Sequence, residues 1–224
     1  MDITLVYNLK QKEENKPADH CSEYDSQKTI LSIAEAIKKG GHQVSLVDAR
    51  EDLFFYFKSH CTDMVFNIAE GSGTKLRESE VPAILDILDI PYTGSGVMAL
   101  AIALNKSLTK KILISENILT PNFQLFTKGK ERLSSDLRFP LIVKPNREGS
   151  AKGILSSSVV NDEKRLYEEV NKIISFYRQE ALVEEFIEGK ELTVGILSDS
   201  PAKVLPILDF GQPLRDADTG LDGL

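Results

Sequence analysis

Leu141-Ile-Val-Lys144-Pro145-Asn-Arg-Glu-Gly149-Ser150-Ala-Lys152-Gly153-Ile-Leu155 is the stretch on which the reading of this chain turns. An apolar run of strand length ends in a lysine, a turn rich in Gly, Ser and charge follows, and a second apolar run begins. Two readings are open. In one, the stretch is a hairpin whose Lys144 snorkels to solvent along its aliphatic stem. In the other it is a phosphate clamp. Gly149 and Gly153 let backbone N–H groups approach an anion, Ser150 adds a hydroxyl donor, and Lys144 brings charge from a rigid strand. Further strand-like runs lie around it, at 123–126, 154–160, 182–187, 192–197 and 204–208, with one clear helix over 162–177. That helix puts Leu166, Val170, Ile173, Ile174 and Tyr177 on its core face, and Glu168 and Lys172 are spaced to pair at i,i+4. Strands with few crossovers around one helix predict an α+β unit.

Upstream the pattern changes to alternating strand and helix. Residues 3–7 are an apolar run of strand length, followed by a helix with Ser26 as N-cap and Ile30, Ile33, Ala34 and Ile37 on one face. Gly40-Gly41 ends it where a left-handed residue is needed. Residues 43–47 and 64–68 read as strands on either side of a short aromatic-rich helix at 53–57. A helix over about 79–88 turns Val81, Ile84, Leu85 and Leu88 inward and tolerates Pro82 in its first turn, and residues 91–95 close the unit as a short strand. This βαβαβαβ order implies an α/β unit with a mostly parallel, doubly wound sheet. Residues 97–104 are apolar all round and predict a buried helix; 106–117 predict another, and Pro121 marks a boundary. The tail 215–224 has no periodicity and reads as an unfinished or mobile end.

Composition narrows the function classes. With 42% hydrophobic and 27% charged residues among 224, the chain is globular and neither disordered nor collagenous. A net charge of −7 argues against a nucleic-acid backbone binder, so any nucleotide should be small and held by a few placed cations. Cys21 and Cys61 form no C-x-x-C, and His20, His42 and His60 form no cluster, so a zinc site is not expected. The N-terminus lacks the basic start of a signal peptide, and the longest apolar run, 97–104, is far short of a bilayer span. The expectation is a cytoplasmic protein with no membrane partner.

Two more stretches carry chemistry. In Leu182-Val183-Glu184-Glu185-Phe186-Ile187-Glu188-Gly-Lys-Glu191, alternation sends Glu184 and Glu185 to opposite faces. A buried carboxylate there needs a partner such as Lys144 or a ligand amine; the competing reading is an edge strand with one wet face. In Asn105-Lys106-Ser-Leu-Thr109-Lys110, Lys106 opposes the helix macrodipole, as a solvated surface lysine or one held for a ligand anion. The glycine-rich 71–75 and 94–97 match neither Walker nor Rossmann spacing, and no nucleophile–base pair is visible.

Taken in order, Ile90-Pro-Tyr-Thr-Gly-Ser95, Asn105-Lys106-Ser-Leu-Thr-Lys110, the Phe139–Gly153 stretch and Val183-Glu-Glu-Phe-Ile-Glu-Gly-Lys-Glu191-Leu-Thr-Val resemble the ATP-grasp ligases, and among them the D-alanine–D-alanine ligase family. The resemblance implies an N-terminal domain over 1–104, an ATP-grasp central domain over 105–180 and the start of a third domain over 181–224. It implies that Lys106 and Lys144 contact ATP phosphates and that Gly149, Ser150 and Ala151 lie in the loop that closes over them. It implies that Glu184 pairs near Lys144, that Glu185, Phe186 and Ile187 form the hinge whose backbone reads adenine, and that Glu191 holds the ribose. The implied chemistry is an acyl phosphate made with ATP and magnesium, then attacked by an amine to give an amide. No residue is assigned a catalytic role.

Two departures from the family shape the expectation. Where these ligases carry His-Gly and then Gly-Glu-Asp-Gly, this chain has Phe66-Asn-Ile-Ala-Glu70-Gly71-Ser-Gly-Thr-Lys-Leu-Arg77-Glu78. Its loop at 9–25 is also longer, leaving Glu23, Glu70 and Ser150 as substrate contacts for a small amino acid or carboxylate, with D-alanine not fixed as that substrate. The family's magnesium acids follow the ribose glutamate, whereas 192–224 hold Asp199, Asp209, Asp216, Asp218 and Asp222 but no Glu or Asn. The metal site is therefore expected to lie outside this chain. That leaves a truncated ligase unable to make a dipeptide alone, a non-catalytic nucleotide-binding or scaffold protein, or a plain doubly wound domain with no nucleotide. Apolar strands near 192–197 and 204–208, left uncovered, would invite a homodimer.

Overall fold

The computed structural model describes residues 1–11, 19, 21–73, 75–199 and 201–209. Its chain divides into two compact units, one of residues 1–118 with 146–152, the other of 119–145 with 153–224. The segment Asn146–Lys152, which follows the lysine strand, thus belongs by its contacts to the first unit.

The first unit is a parallel sheet in the order β2-β1-β3, built from β1 (Asp2–Tyr7), β2 (Gln43–Asp48) and β3 (Met64–Asn67). Both faces are covered, so β1 reads as a continuous apolar run. Leu5 packs with Ile30 and Ala34 of α1 (Gln27–Lys39). Val6 packs on the other face with Leu53 and Phe57 of α2 (Leu53–Ser59) and Leu85 of α3 (Glu80–Ile87). Ser26 caps α1 by accepting the Thr29 N–H at 3.1 Å.

Two expectations in this unit change. The strand at 91–95 is reduced to a single bridge between Tyr92 and Val65, with Pro91 and Thr93 bonded to Val65. Residues 97–104 do form a helix, α4 (Val97–Leu104), but only Leu104 is buried, and Met98 is 75% exposed. A helix apolar all round has no stripe to say which face turns inward, and uniform hydrophobicity alone does not bury it. Next comes α5 (Lys106–Ser115), whose cap Asn105 accepts the Leu108 N–H.

In the second unit, β4 (Phe123–Phe126), β7 (Ala181–Glu185), β5 (Leu141–Pro145) and β6 (Val159–Val160) form an antiparallel sheet in that order. Helix α6 (Glu163–Tyr177), N-capped by Asp162, lays Leu166, Val170 and Ile173 on Phe126, Leu141, Val143 and Val183. Its surface pairs are i,i+3, Arg165–Glu168 and Glu169–Lys172, rather than the i,i+4 pair expected of Glu168 and Lys172. The strand expected over 154–160 becomes a 3-10 turn at Ser156–Ser158 leading into two-residue β6.

The run at 192–197 splits into β8 (Leu192–Thr193) and β9 (Ile196–Asp199), and that at 204–208 into the end of β10 (Ala202–Val204) and β11 (Leu208–Asp209). These pair as β8–β11 and β9–β10, and Leu192, Ile196, Val204 and Leu208 are all at least half exposed. No helix among the described residues is long and apolar enough to cross a membrane. The tail at 215–224, with Asp216, Asp218 and Asp222, lies outside the described residues.

Candidate functional site

In the second unit the strand register places the first candidate pair. Lys144 lies opposite Leu182, and Ile142 opposite Glu184, so Lys144 and Glu184 are diagonal neighbours on one face. The Lys144 ammonium donates to the Glu184 carboxylate, and the carboxylate side chain is only 10% exposed. Burial makes that cation the natural partner of Glu184. Glu185 points to the other face, where it accepts from Asn122 Nδ2 at 3.1 Å and the Arg138 N–H at 3.3 Å.

The backbone donors of 185–187, expected to read adenine, are mostly used. The Glu185 N–H donates to the Asn122 carbonyl and the Phe186 N–H to the Pro140 carbonyl, both at 3.0 Å. Among the described residues the Ile187 N–H has no partner, and Ile187 is 66% exposed. Glu191 is also exposed.

In the first unit the glycine-rich segment is held at both ends. Asn146 is fully buried; its carbonyl takes the Lys106 N–H at 3.0 Å, its Oδ1 takes the Ser107 N–H at 2.9 Å, and its Nδ2 donates to Asn105. The Lys106 ammonium donates to the Glu148 carbonyl, so this lysine is neither fully solvated nor aimed away from the loop. Gly149 does present its N–H to an anion, but that anion is Glu23, at 2.5 Å. A Cβ at 149 would stand 3.0 Å from the same carboxylate. Ser150 and Ala151 face outward in the left-handed region, at φ 47° and 55°.

Around Glu23 a charged cluster closes. Arg77 donates to both Glu23 oxygens at 2.8 and 3.0 Å, to the Glu148 carboxylate at 3.2 Å and to the Arg147 carbonyl at 3.0 Å. Lys152 lies 2.8 Å from Glu148 and 3.8 Å from Glu23. Glu70 and Glu78 complete an acidic trio with Glu23, their carboxylate oxygens within 4.8 Å of one another. This is the group among the described residues with metal-ligand spacing, yet Glu23 is already filled by Arg77 and Gly149. Asp209 is paired with Lys190 at 3.1 Å, so it is not part of any such group either. The described residues therefore do not fit a magnesium donor set. An open hollow of about 730 Å3 along the outer face of α1, between Gln27, Leu31 and Glu35, gathers no convergent charged set and offers no better site.

Glu70 is the titration to watch. Its carboxyl is pushed up from 4.5 to about 7, first by burial and then by Glu78 and Glu23; burial also raises Glu78. Below pH 4.5 folded and unfolded chains both hold the Glu70 proton, and stability is unaffected. Between pH 4.5 and 7 the unfolded chain loses the proton first, so stability falls as pH rises, and the penalty is complete above 7. Solvent screening of this half-exposed group limits the penalty to about 1–2 kcal/mol. Glu70→Gln should remove it, gaining that much at pH 8 and little at pH 4.5 by denaturant titration. Equal gains at both values would show that the carboxyl is not perturbed.

The structure thus brings Lys144 to Glu184 in one unit, and Glu23 to Gly149 and Glu70 in the other, with Lys106 on the same loop. Arg77, Glu78, Glu148 and Lys152 stand in the quoted motifs but drew no role from sequence. The only local hint was Arg77-Glu78 ahead of a helix, a charge pair that reads as ordinary surface.

Residues 112–211 match the family model described as D-ala D-ala ligase C-terminus. The chain is 34% identical over 186 residues to a D-alanine–D-alanine ligase of Syntrophotalea carbinolica, covering 83% of this chain and 59% of that protein. It is 33% identical over 187 residues to uncharacterized protein y4sG of Sinorhizobium fredii, covering 80% and 54%. Among solved structures, a Bacillus anthracis D-alanine–D-alanine ligase complexed with ATP superposes with TM-score 0.68 at 27% identity, over 93% of this chain and 65% of that one. The fold is thus one of mixed helices and sheets whose solved neighbours are ligases. The chain is D-alanine–D-alanine ligase-like, of the ATP-grasp superfamily. It spans between 54% and 65% of the length of these relatives.

Proposed function

We propose that this chain is the nucleotide-binding part of an ATP-dependent carboxylate–amine ligase. The observation that carries the reading is the Lys144–Glu184 pair beside the 185–187 hinge. Strand β5 holds Lys144 rigidly, and Glu184 orients its ammonium so that the remaining donors can meet a phosphate oxygen. The Ile187 N–H is left to donate to an adenine nitrogen, and exposed Glu191 can accept from ribose hydroxyls. ATP, when bound, supplies the phosphoryl group that activates a carboxylate.

On the first unit, Lys106 and the Ser150 and Ala151 backbone take the proposed phosphate contacts, with Gly149 tied to Glu23 and the Glu148 carbonyl holding the Lys106 ammonium until a stronger acceptor replaces it. Glu70 and Glu78, unlike Glu23, have no hydrogen-bond partner for their side chains among the described residues, which suits the ammonium of a small amino acid substrate.

ATP or ADP should raise the melting temperature. Ligand at about 100 times Kd adds roughly 2.7 kcal/mol by mass action. No shift at millimolar nucleotide would remove the basis of this reading. Phosphate release with D-alanine and a panel of small amino acids then separates a ligase from a nucleotide binder without turnover.

A further inference from the structure

We propose that Arg77 is the positioning residue of the glycine-rich loop, latching Asn146–Lys152 to the first unit and so fixing how the loop's N–H groups are presented. Three groups from two segments meet on its one guanidinium: the Glu23 carboxylate from its turn, and the Arg147 carbonyl and Glu148 carboxylate from the loop. Arg77 is itself buried, on a three-residue 3-10 turn, and Gly71 lies against its backbone so closely that a side chain at 71 would collide with the Arg77 carbonyl. Arg77 and Lys152 answer Glu23 and Glu148, so each of these four largely buried charges has an opposite partner, while Glu70 and Glu78 stand beside Glu23 as further carboxylates.

Further bonds bear on the loop, from the Lys152 N–H to the Gly149 carbonyl at 2.9 Å and from the Lys106 ammonium to the Glu148 carbonyl. The loop forms no strand ladder, and its middle residues, Ser150 and Ala151, occupy a backbone region that L side chains disfavour. Such a conformation persists only when its surroundings over-determine it. The Asn146 contacts fix the first end. Beyond it, the N–H of Gly149 is held by Glu23, and Glu23 by Arg77. A planar fork spreads its N–H donors over several nitrogens in fixed directions, whereas an ammonium's three donors radiate from one atom on a flexible stem.

Amide hydrogen exchange, read by mass spectrometry on a peptide spanning 146–152 without nucleotide, tests the latch. Arg77→Lys keeps the charge and loses the fork; exchange in the loop should rise roughly tenfold or more, the loss of a charged hydrogen bond from a local opening equilibrium. Exchange in β1 and α1 should stay at the wild-type rate. Glu148→Gln, which attacks the latch from the loop side and leaves Glu23 paired, keeps the test open should Arg77→Lys fail to fold, and should give a rise confined to the same peptide. Loop exchange at the wild-type rate in a folded variant, or a rise spread evenly over the unit, would overturn the proposal.

A second readout rests on the nucleotide reading. Latch variants should weaken ATP binding about tenfold while leaving adenosine within twofold, since adenosine has no phosphate for the loop to meet. If the wild type binds neither ligand, the nucleotide reading fails while the exchange result still decides the latch. If ATP and adenosine weaken together, Arg77 is structural and the positioning role falls.

Discussion

Lys144→Ala should destabilise the second unit by about 3–5 kcal/mol and abolish the nucleotide-dependent rise in melting temperature. The size follows from what is left behind. Glu184 is 8% exposed as a residue, and without the ammonium its carboxylate is a buried charge deprived of its cation. The loss corresponds to a drop in midpoint of roughly 6–20 °C for a chain of this length. A Lys144→Met and Glu184→Gln double variant separates stability from binding. With both charges gone and the shape roughly kept, most of the stability should return, because a buried pair often gives little net gain over apolar replacements. Nucleotide binding should not return, since the phosphate partner is absent. A double variant that still shows the ATP-induced shift would dissociate the pair from the nucleotide.

Gly153→Ala should cost about 2–4 kcal/mol, and it should do so without touching any anion contact. Gly153 sits at φ 76°, and a Cβ there would lie 2.5 Å from Pro145 Cγ and 3.1 Å from the Tyr177 ring. A proline ring cannot swing aside as the tip of a lysine can, so β5 or the end of α6 must move. Gly149→Ala should behave differently. Its Cβ would meet the Glu23 carboxylate at 3.0 Å, and its backbone is not left-handed, so the stability loss should be smaller while loop exchange rises. Denaturant titration of both variants gives the comparison. Equal losses would mean that both glycines serve the same purpose, as the sequence pattern alone suggests.

That contrast shows how far the motif could be read. Gly149 and Gly153 look alike in sequence, and both suit a phosphate clamp. In the structure the first glycine admits a protein carboxylate, and the second makes room for a proline and a tyrosine. Alternation separated Glu184 from Glu185 correctly because strand period is a local property, and the same property put Lys144 within reach of Glu184. Uniform hydrophobicity misjudged α4, where no period pointed inward.

What the sequence by itself determined is short-range: most of the strand and helix succession, the Ser26 cap, the apolar faces of α1 and α6, and the two faces of β7. Periods of two and 3.6 residues and capping side chains act within a few positions, so they are visible in a single line of text. The tertiary structure alone decided that Asn146–Lys152 belongs to the first unit and that Arg77 answers Glu23. Those bonds join residues 54 apart for Arg77 and Glu23, and 126 apart for Gly149 and Glu23. No local period encodes such pairs. Burial of a charge demands a partner but does not say where along the chain that partner stands.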